Sequence, residues 1–343
     1  MKAVKFIAKE QRIELVEVPI PEIKQSYDVL IKVAYSGICG TDLHIIEGNF
    51  PCVDSEPLTL GHEFSGNVFE VGTGVTNLKK GDNVVVDPNN SCKCCKFCQS
   101  GRPQFCTGTN ENLGTFRNGA FAEYILVPVH MVHKLPDIIT LQQGALAEPL
   151  SCISHGWDII SPVSVGSRVL IVGAGIIGIL WASLFHSQRH RHVTVCEPNE
   201  ARRAILENLN TGFTLLKPEE LESKRKDQHY LFDVIIDCSG YAQAIEHAIS
   251  FLQRGGKICC FGVAPPDATI RVKPFDIFMN ELKIYGVKVN PFSFPKALGL
   301  LESMGDRYLN YDCLGIKIFE LKDYKVALDQ LKKGIILKAM FKF

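Results

Sequence analysis

The sequence predicts an α/β chain in which a doubly wound parallel sheet is inserted in a mostly-β domain. Three observations carry this. Val169–Val172 is a short apolar run that stops at a glycine, and G-A-G-I-I-G (Gly173, Gly175, Gly178) leads from it into helix formers as far as Ser187. From residue 165, apolar runs near 168–172, 193–196, 213–216, 233–238, 256–261 and 283–287 alternate with helical stretches. That is the rhythm of parallel strands joined by crossover helices. Before that point the pattern is of short strands broken by glycine and proline. At 343 residues the chain exceeds one comfortable core, and we expect two domains, 1–152 with 291–343 and 153–290.

In order, Ala3–Ile7 and Val29–Val33 read as strands separated by P-I-P-E. Gly37–His44 reads as a tight turn of small residues that presents Cys39, Thr41 and His44 to one point. Gly61-His62-Glu63 opens a strand, Phe64–Val71, and Lys80-Gly81-Asp82 turns into Val84–Val86. This Gly-rich, all-β pattern is that of a small, partly open barrel. A cysteine lobe follows, then strand pattern from Gly119 to Val127, then a helix over Ala145–Ile160 carrying Glu148-Pro149-Leu150-Ser151. Beyond Pro291 helices are expected at 295–304 and 322–333, and a strand over Leu337–Phe343 that rejoins the first domain.

Within the parallel sheet each glycine has a reason. Gly173 permits a tight turn and Gly175 lets backbone approach a pyrophosphate. Ile176 and Ile177 open the helix whose amides face the phosphates, and Gly178 brings that helix against the strand. The next strand, Val193–Cys196, ends in Glu197, where an acceptor for a ribose diol belongs. A carboxylate there favours NAD and repels a 2′-phosphate, while Arg202 and Arg203 nearby keep NADP open.

The charge balance, 37 basic and 37 acidic residues without long runs of one sign, speaks against nucleic acid or an anionic membrane as the main partner. No signal-peptide pattern and no apolar run of bilayer length is present, so a cytoplasmic protein is expected. Thirteen cysteines then point to metal or burial rather than disulfides. Cys92, Cys95, Cys98 and Cys106 form C-x2-C-x2-C-x7-C, a spacing suited to a closed structural Zn²⁺ site. Iron–sulfur ligation and free thiols are the alternatives, the first disfavoured because the ferredoxin run places its fourth cysteine after three residues, with a proline behind. Cys94 is left out of the set. Singly, Cys39, His62, Glu63 and Glu148 read as a buried thiol, a satisfied histidine and surface acids. Together they offer the mixed sulfur, nitrogen and oxygen donors of a catalytic zinc.

G-I-C-G-T-D-L-H, G-H-E, the four-cysteine lobe, E-P-L-S and G-A-G-I-I-G stand in the order found in zinc-dependent medium-chain alcohol dehydrogenases. The chain resembles the polyol branch of that family: sorbitol, D-arabinitol, butanediol and threonine dehydrogenases. The resemblance implies a Rossmann domain inserted in a GroES-like catalytic domain, and two zinc ions per chain. It implies catalytic zinc on Cys39 and His62, with Glu63 and Glu148 as direct or water-bridged partners. It also implies a homodimer or homotetramer. Simple alcohol dehydrogenases of the family have cysteine where Glu148 stands, which points to the polyol branch. Sorbitol dehydrogenases have an arginine at the position matching Val289, so the match favours arabinitol- or threonine-type relatives.

The expected reaction is reversible oxidation of a polyol or other secondary alcohol, with hydride passing to the nicotinamide. The released proton leaves by Thr41 and His44 or, alternatively, through water by Glu63 or Glu148. Two other functions remain open: an amino-alcohol dehydrogenase of threonine type, and a non-catalytic zinc- and nucleotide-binding protein acting as a redox sensor or structural partner.

Overall fold

The computed structural model describes residues 1–108 and 111–343. Its residues fall into two compact units, one of Met1–Ser151, Val289–Gly305 and Leu309–Phe343, the other of Cys152–Lys288 with Asp306–Tyr308.

In the first unit the strand Asp28–Gly37 is the hub. It pairs antiparallel with Glu63–Val71, Tyr124–Pro128 and Lys338–Lys342. Asn83–Val86 and Val132–Lys134 extend the sheet on one side and Ile316–Glu320 on the other. Arg12–Glu17, Lys2–Ile7 and Leu58–Thr59 form a smaller sheet. Val29, Ile31 and Val33 alternate along the hub and pack with Phe64, Val68, Val84 and Val127, as a half-buried strand of period two requires. A second cluster joins Phe6, Ile38, Phe121 and Phe341 to Tyr324 and Ala327 of the helix Tyr324–Lys332. Burying each such large side chain contributes about 1.5–3 kcal/mol, and this fixes the C-terminal strand in the first unit.

The second unit is a six-stranded, wholly parallel sheet. Its strand order is Thr214–Leu216, Val193–Cys196, Val169–Val172, Phe232–Asp237, Leu252–Cys260, Lys283–Gly286. The order reverses direction beside Val169–Val172, which makes the carboxyl end of that strand a topological switch point. The helix Ile176–Ser187 is buried along Gly178–Phe185, as its nearly continuous apolar sequence demands. Both architectures, a GroES-like β unit and a Rossmann sheet, are those expected.

Three local expectations are corrected. Residues 40–46 form a helix, Gly40–Ile46, rather than a tight turn, because Asp42 accepts from the Cys39 N–H and caps it. The helix expected at 295–304 runs over Phe294–Leu309 and breaks at Gly305 (φ 50°). The strand expected from Gly119 begins at Tyr124, since Gly119, Ala120 and Phe121 donate their amides to Thr59, Gly61 and Leu60.

Candidate functional site

The first constellation is assembled by one short helix and one loop. Cys39 is the residue before the helix Gly40–Ile46, and Asp42 in its first turn is fully buried. Asp42 Oδ2 accepts from the Cys39 amide at 2.8 Å and Oδ1 from the Gly61 amide at 3.2 Å. Gly61 must be glycine: φ is +90° and a Cβ would strike the Phe121 ring. The next residue, His62, places Nδ1 3.6 Å from Asp42 Oδ1. One carboxylate thus ties the helix start to the loop and faces the imidazole, the arrangement that orients histidines bound to metals. The donor atoms of Cys39, His62 and Glu63 all lie within 4.8 Å of one another.

Glu148, second residue of the helix Ala147–Ile160, lies outside that set, but its charge acts on both His62 and Lys338. Thr41 Oγ1 is 3.7 Å from Cys39 Sγ. His44, half-buried on the last turn of the same helix, stands outside the donor set. Burial pushes the Asp42 carboxyl up, with His62 opposing. Burial would lower the His62 imidazole, but the charges of Asp42 and Cys39 outweigh it and hold it well above the ordinary histidine range.

Two residues of this site are missing from the sequence-based set. Asp42 stands three residues after Cys39, the capping-box spacing, which was its available signal. Lys338, in the strand Lys338–Lys342, forms a buried ion pair with Glu63 Oε2, its side chain 3% exposed. Burial would lower its ammonium, but the charges of Glu63, Cys39 and Glu148 hold it above the ordinary lysine range. Its signal was a lone cation inside the apolar run L-K-A-M-F.

The second constellation is the cysteine lobe. The sulfurs of Cys92, Cys95, Cys98 and Cys106 lie within 4.8 Å of one another, and Cys94 is exposed and outside the set. Lys93 turns the loop with φ +60°. Backbone amides point at the sulfurs: Cys92 N to Cys106, Cys95 N to Cys92 and Gly108 N to Cys106, at 3.3–3.4 Å. Amides of Cys98 and Thr107 hold the Cys95 thiol down to about 5, while, against the Ser91 hydroxyl, burial and the Cys95 and Cys106 sulfurs push Cys98 up to about 11; crowded thiols share few negative charges until a cation is bound. Four convergent thiols fit a structural zinc.

The third is the glycine loop. Gly173 has φ +95°, Gly175 caps the helix Ile176–Ser187 with open space over its Cα, and a Cβ on Gly178 would strike the Gly173 carbonyl. Ile176 and Ile177 form the first helical turn, half-buried. A helix start with no side-chain cap and open space over Gly175 suits a dinucleotide phosphate. Glu197 Oε2 accepts from the Ala174 amide at 2.6 Å and Oε1 from the Asn199 amide at 2.8 Å, with Arg202 Nη1 3.9 Å away. The acid therefore reaches from the end of its strand into the glycine loop.

Comparison with known proteins identifies the family. Residues 25–137 match the alcohol dehydrogenase GroES-like domain family and residues 173–303 the zinc-binding dehydrogenase family. D-arabinitol dehydrogenase 1 of Uromyces fabae is 31% identical over 98% of this chain and 96% of its own. D-altritol 5-dehydrogenase of Agrobacterium fabrum is 34% identical, covering 89% of each chain. A zinc-binding dehydrogenase of Sinorhizobium meliloti, solved with NADP, superposes with a TM-score of 0.89 at 31% identity, over 100% of this chain and 99% of that one. The chain belongs to the zinc-dependent medium-chain alcohol dehydrogenase family, in its polyol branch, and is an oxidoreductase that works with zinc and a nicotinamide dinucleotide.

Proposed function

We propose that this enzyme interconverts a polyol and its ketose, with Cys39, His62 and Glu63 holding the catalytic zinc, and Glu148 a partner reached directly or through water. The observation that carries the reading is the meeting of one thiol, one imidazole and one carboxylate within 4.8 Å, a donor set that leaves zinc an open position. Zinc there supplies Lewis acidity, making an alcohol proton easier to lose near neutral pH. Asp42, 3.6 Å from His62 Nδ1, places a negative charge behind the ring, and Thr41 accepts the released proton as it hands its own hydroxyl proton on. Thr41 and His44 lie three residues apart on one helix face, so His44 is placed to pass it outward. The relatives named for D-arabinitol and D-altritol favour a pentitol or hexitol as substrate.

Cys92, Cys95, Cys98 and Cys106 hold the second zinc. Gly173, Gly175, Ile176, Ile177 and Gly178 cradle the pyrophosphate, and Glu197 accepts from the adenosine ribose, which favours NAD; Arg202 beside it is the group that would meet a 2′-phosphate. The enzyme is cytoplasmic and a homo-oligomer. In support, the described cysteines form no disulfide, and no described helix is long and apolar enough to cross a membrane. The parallel sheet ends in an edge strand, Lys283–Gly286, and Phe275, Phe278 and Met279 of the preceding helix are exposed.

The test is a panel of pentitols, hexitols, butanediol and threonine assayed with NAD and NADP, alongside Cys39→Ser. We expect kcat/KM at least about tenfold higher with NAD, a polyol as best substrate, and a Cys39→Ser protein that keeps one zinc and binds nucleotide without turnover. Turnover by Cys39→Ser would remove zinc from the reaction, and threonine as best substrate would reassign the enzyme to amino alcohols.

A further inference from the structure

Three strands meet where Glu63 begins its own. Gly37 is the register partner of Glu63 on one side and of Met340 on the other. Residues paired across strands share a face, and so does the residue two positions along. Lys338 therefore projects to the same face as Gly37 and Glu63. The central residue of the three has no side chain, so the two outer side chains meet over it. A Cβ on Gly37 would lie 2.6 Å from Glu63 Oε2 and 3.1 Å from Lys338 Cε. Glycine at 37 is the space that the ion pair occupies. The pair is sealed, its side chains 3% and 2% exposed, and Cys39 and Glu148 are near enough to act electrostatically on Lys338 as well.

A buried ammonium among the groups that would bind zinc is a cation in a place built for a cation. We propose that Lys338 is a built-in counter-ion of the catalytic zinc site: paired with Glu63, it keeps the anionic pocket formed without metal and competes with zinc for that carboxylate, so it weakens zinc binding and makes it exchangeable. The proposal rests on the assignment of Cys39, His62 and Glu63 as zinc ligands. It makes Lys338 a positioning residue that acts through Glu63, with no contact to substrate required. The physics sets the direction. Removing one partner of a buried ion pair leaves an uncompensated charge, and a bound divalent cation compensates it. Two positive charges close together in a poorly screened interior also repel strongly.

The experiment measures zinc affinity of the catalytic site by competition with a chromophoric chelator, and thermal unfolding with and without zinc, for the wild type, Lys338→Met, Lys338→Arg, Glu63→Gln and the Lys338→Met/Glu63→Gln double variant. Lys338→Met should bind zinc at least tenfold more tightly than wild type, and its melting temperature should rise further on adding zinc. Lys338→Arg, which retains the charge, should stay near the wild-type affinity. In the Glu63→Gln background the Lys338→Met gain should shrink severalfold, since the two act as one unit. Unchanged or weaker zinc binding by Lys338→Met, or a full gain without Glu63, would overturn the proposal. If metal-free Lys338→Met does not fold, zinc release from the loaded protein reads the same affinity difference. Failure of the underlying ligand assignment has a separate signature: Cys39→Ser would then retain both zinc ions.

Discussion

Asp42 shows how much one side chain can organise. Its two oxygens accept from the amides of Cys39 and Gly61 and face His62, so it fixes two of the three donors without itself belonging to the donor set. We predict that Asp42→Ala lowers zinc affinity of the catalytic site by about 10- to 100-fold while leaving the cysteine-lobe zinc in place. Metal analysis after graded chelation checks this, and equal loss from both sites would argue against it. Residues of this kind were the hardest to read from sequence. The four lobe cysteines announce themselves by spacing, whereas Cys39 and His62 stand out only through the G-I-C-G-T-D-L-H and G-H-E motifs of the family resemblance. Asp42 and Lys338 are ordinary charged residues whose burial is decided by strands and loops distant in the chain.

At the scale of elements, local pattern was informative where one segment suffices. The run Val169–Val172 with its glycines folds as written because turn, cradle and close approach are all set within a few residues. Gly37–His44 reads as a turn in the sequence because its helix depends on a cap made by Asp42. Another polar element has no signature in the linear sequence. Asp87, which follows the strand Asn83–Val86, accepts from Asn89, whose side chain donates to Asn290 Oδ1; Asn290 Nδ2 in turn reaches Ser151 Oγ at 2.6 Å. Burial raises the Asp87 carboxyl to about 6, with Asn89 and Asn290 opposing. The folded chain then holds this proton more tightly than the unfolded chain, whose aspartate titrates near about 4. The stability involved is fully present below about pH 4 and is lost as pH rises through about 6. Asp87→Asn, which cannot ionise, should gain on the wild type across that window by about 1–2 kcal/mol after allowance for partial solvent access. Parallel plots of melting temperature against pH for the two proteins would refute it.

At the scale of the whole molecule, charge balance speaks against nucleic acid or an anionic membrane as partner, but surface patches leave no trace in a linear pattern. Phe275, Phe278 and Met279 on the helix Pro274–Asn280 are 70%, 79% and 56% exposed, and Ile284 on the sheet's outer strand is exposed as well. An open edge flanked by apolar side chains invites a second copy related by twofold symmetry. Phe278→Glu should shift the protein toward monomer in sedimentation velocity at micromolar concentration, with zinc content unchanged; an unaltered sedimentation coefficient would assign the oligomer, or its absence, elsewhere.

The pairing of Met340 with Gly37 has a consequence for biosynthesis. An emerging polypeptide meets its early strands long before the late one exists, while the parallel sheet between them has all its own strands in hand. The second unit is thus free to mature on the ribosome, whereas the first waits until its late strand has been made. Nascent chains halted before Lys338 would expose the margin of Asp28–Gly37 that the late strand covers, a surface for chaperones to shield.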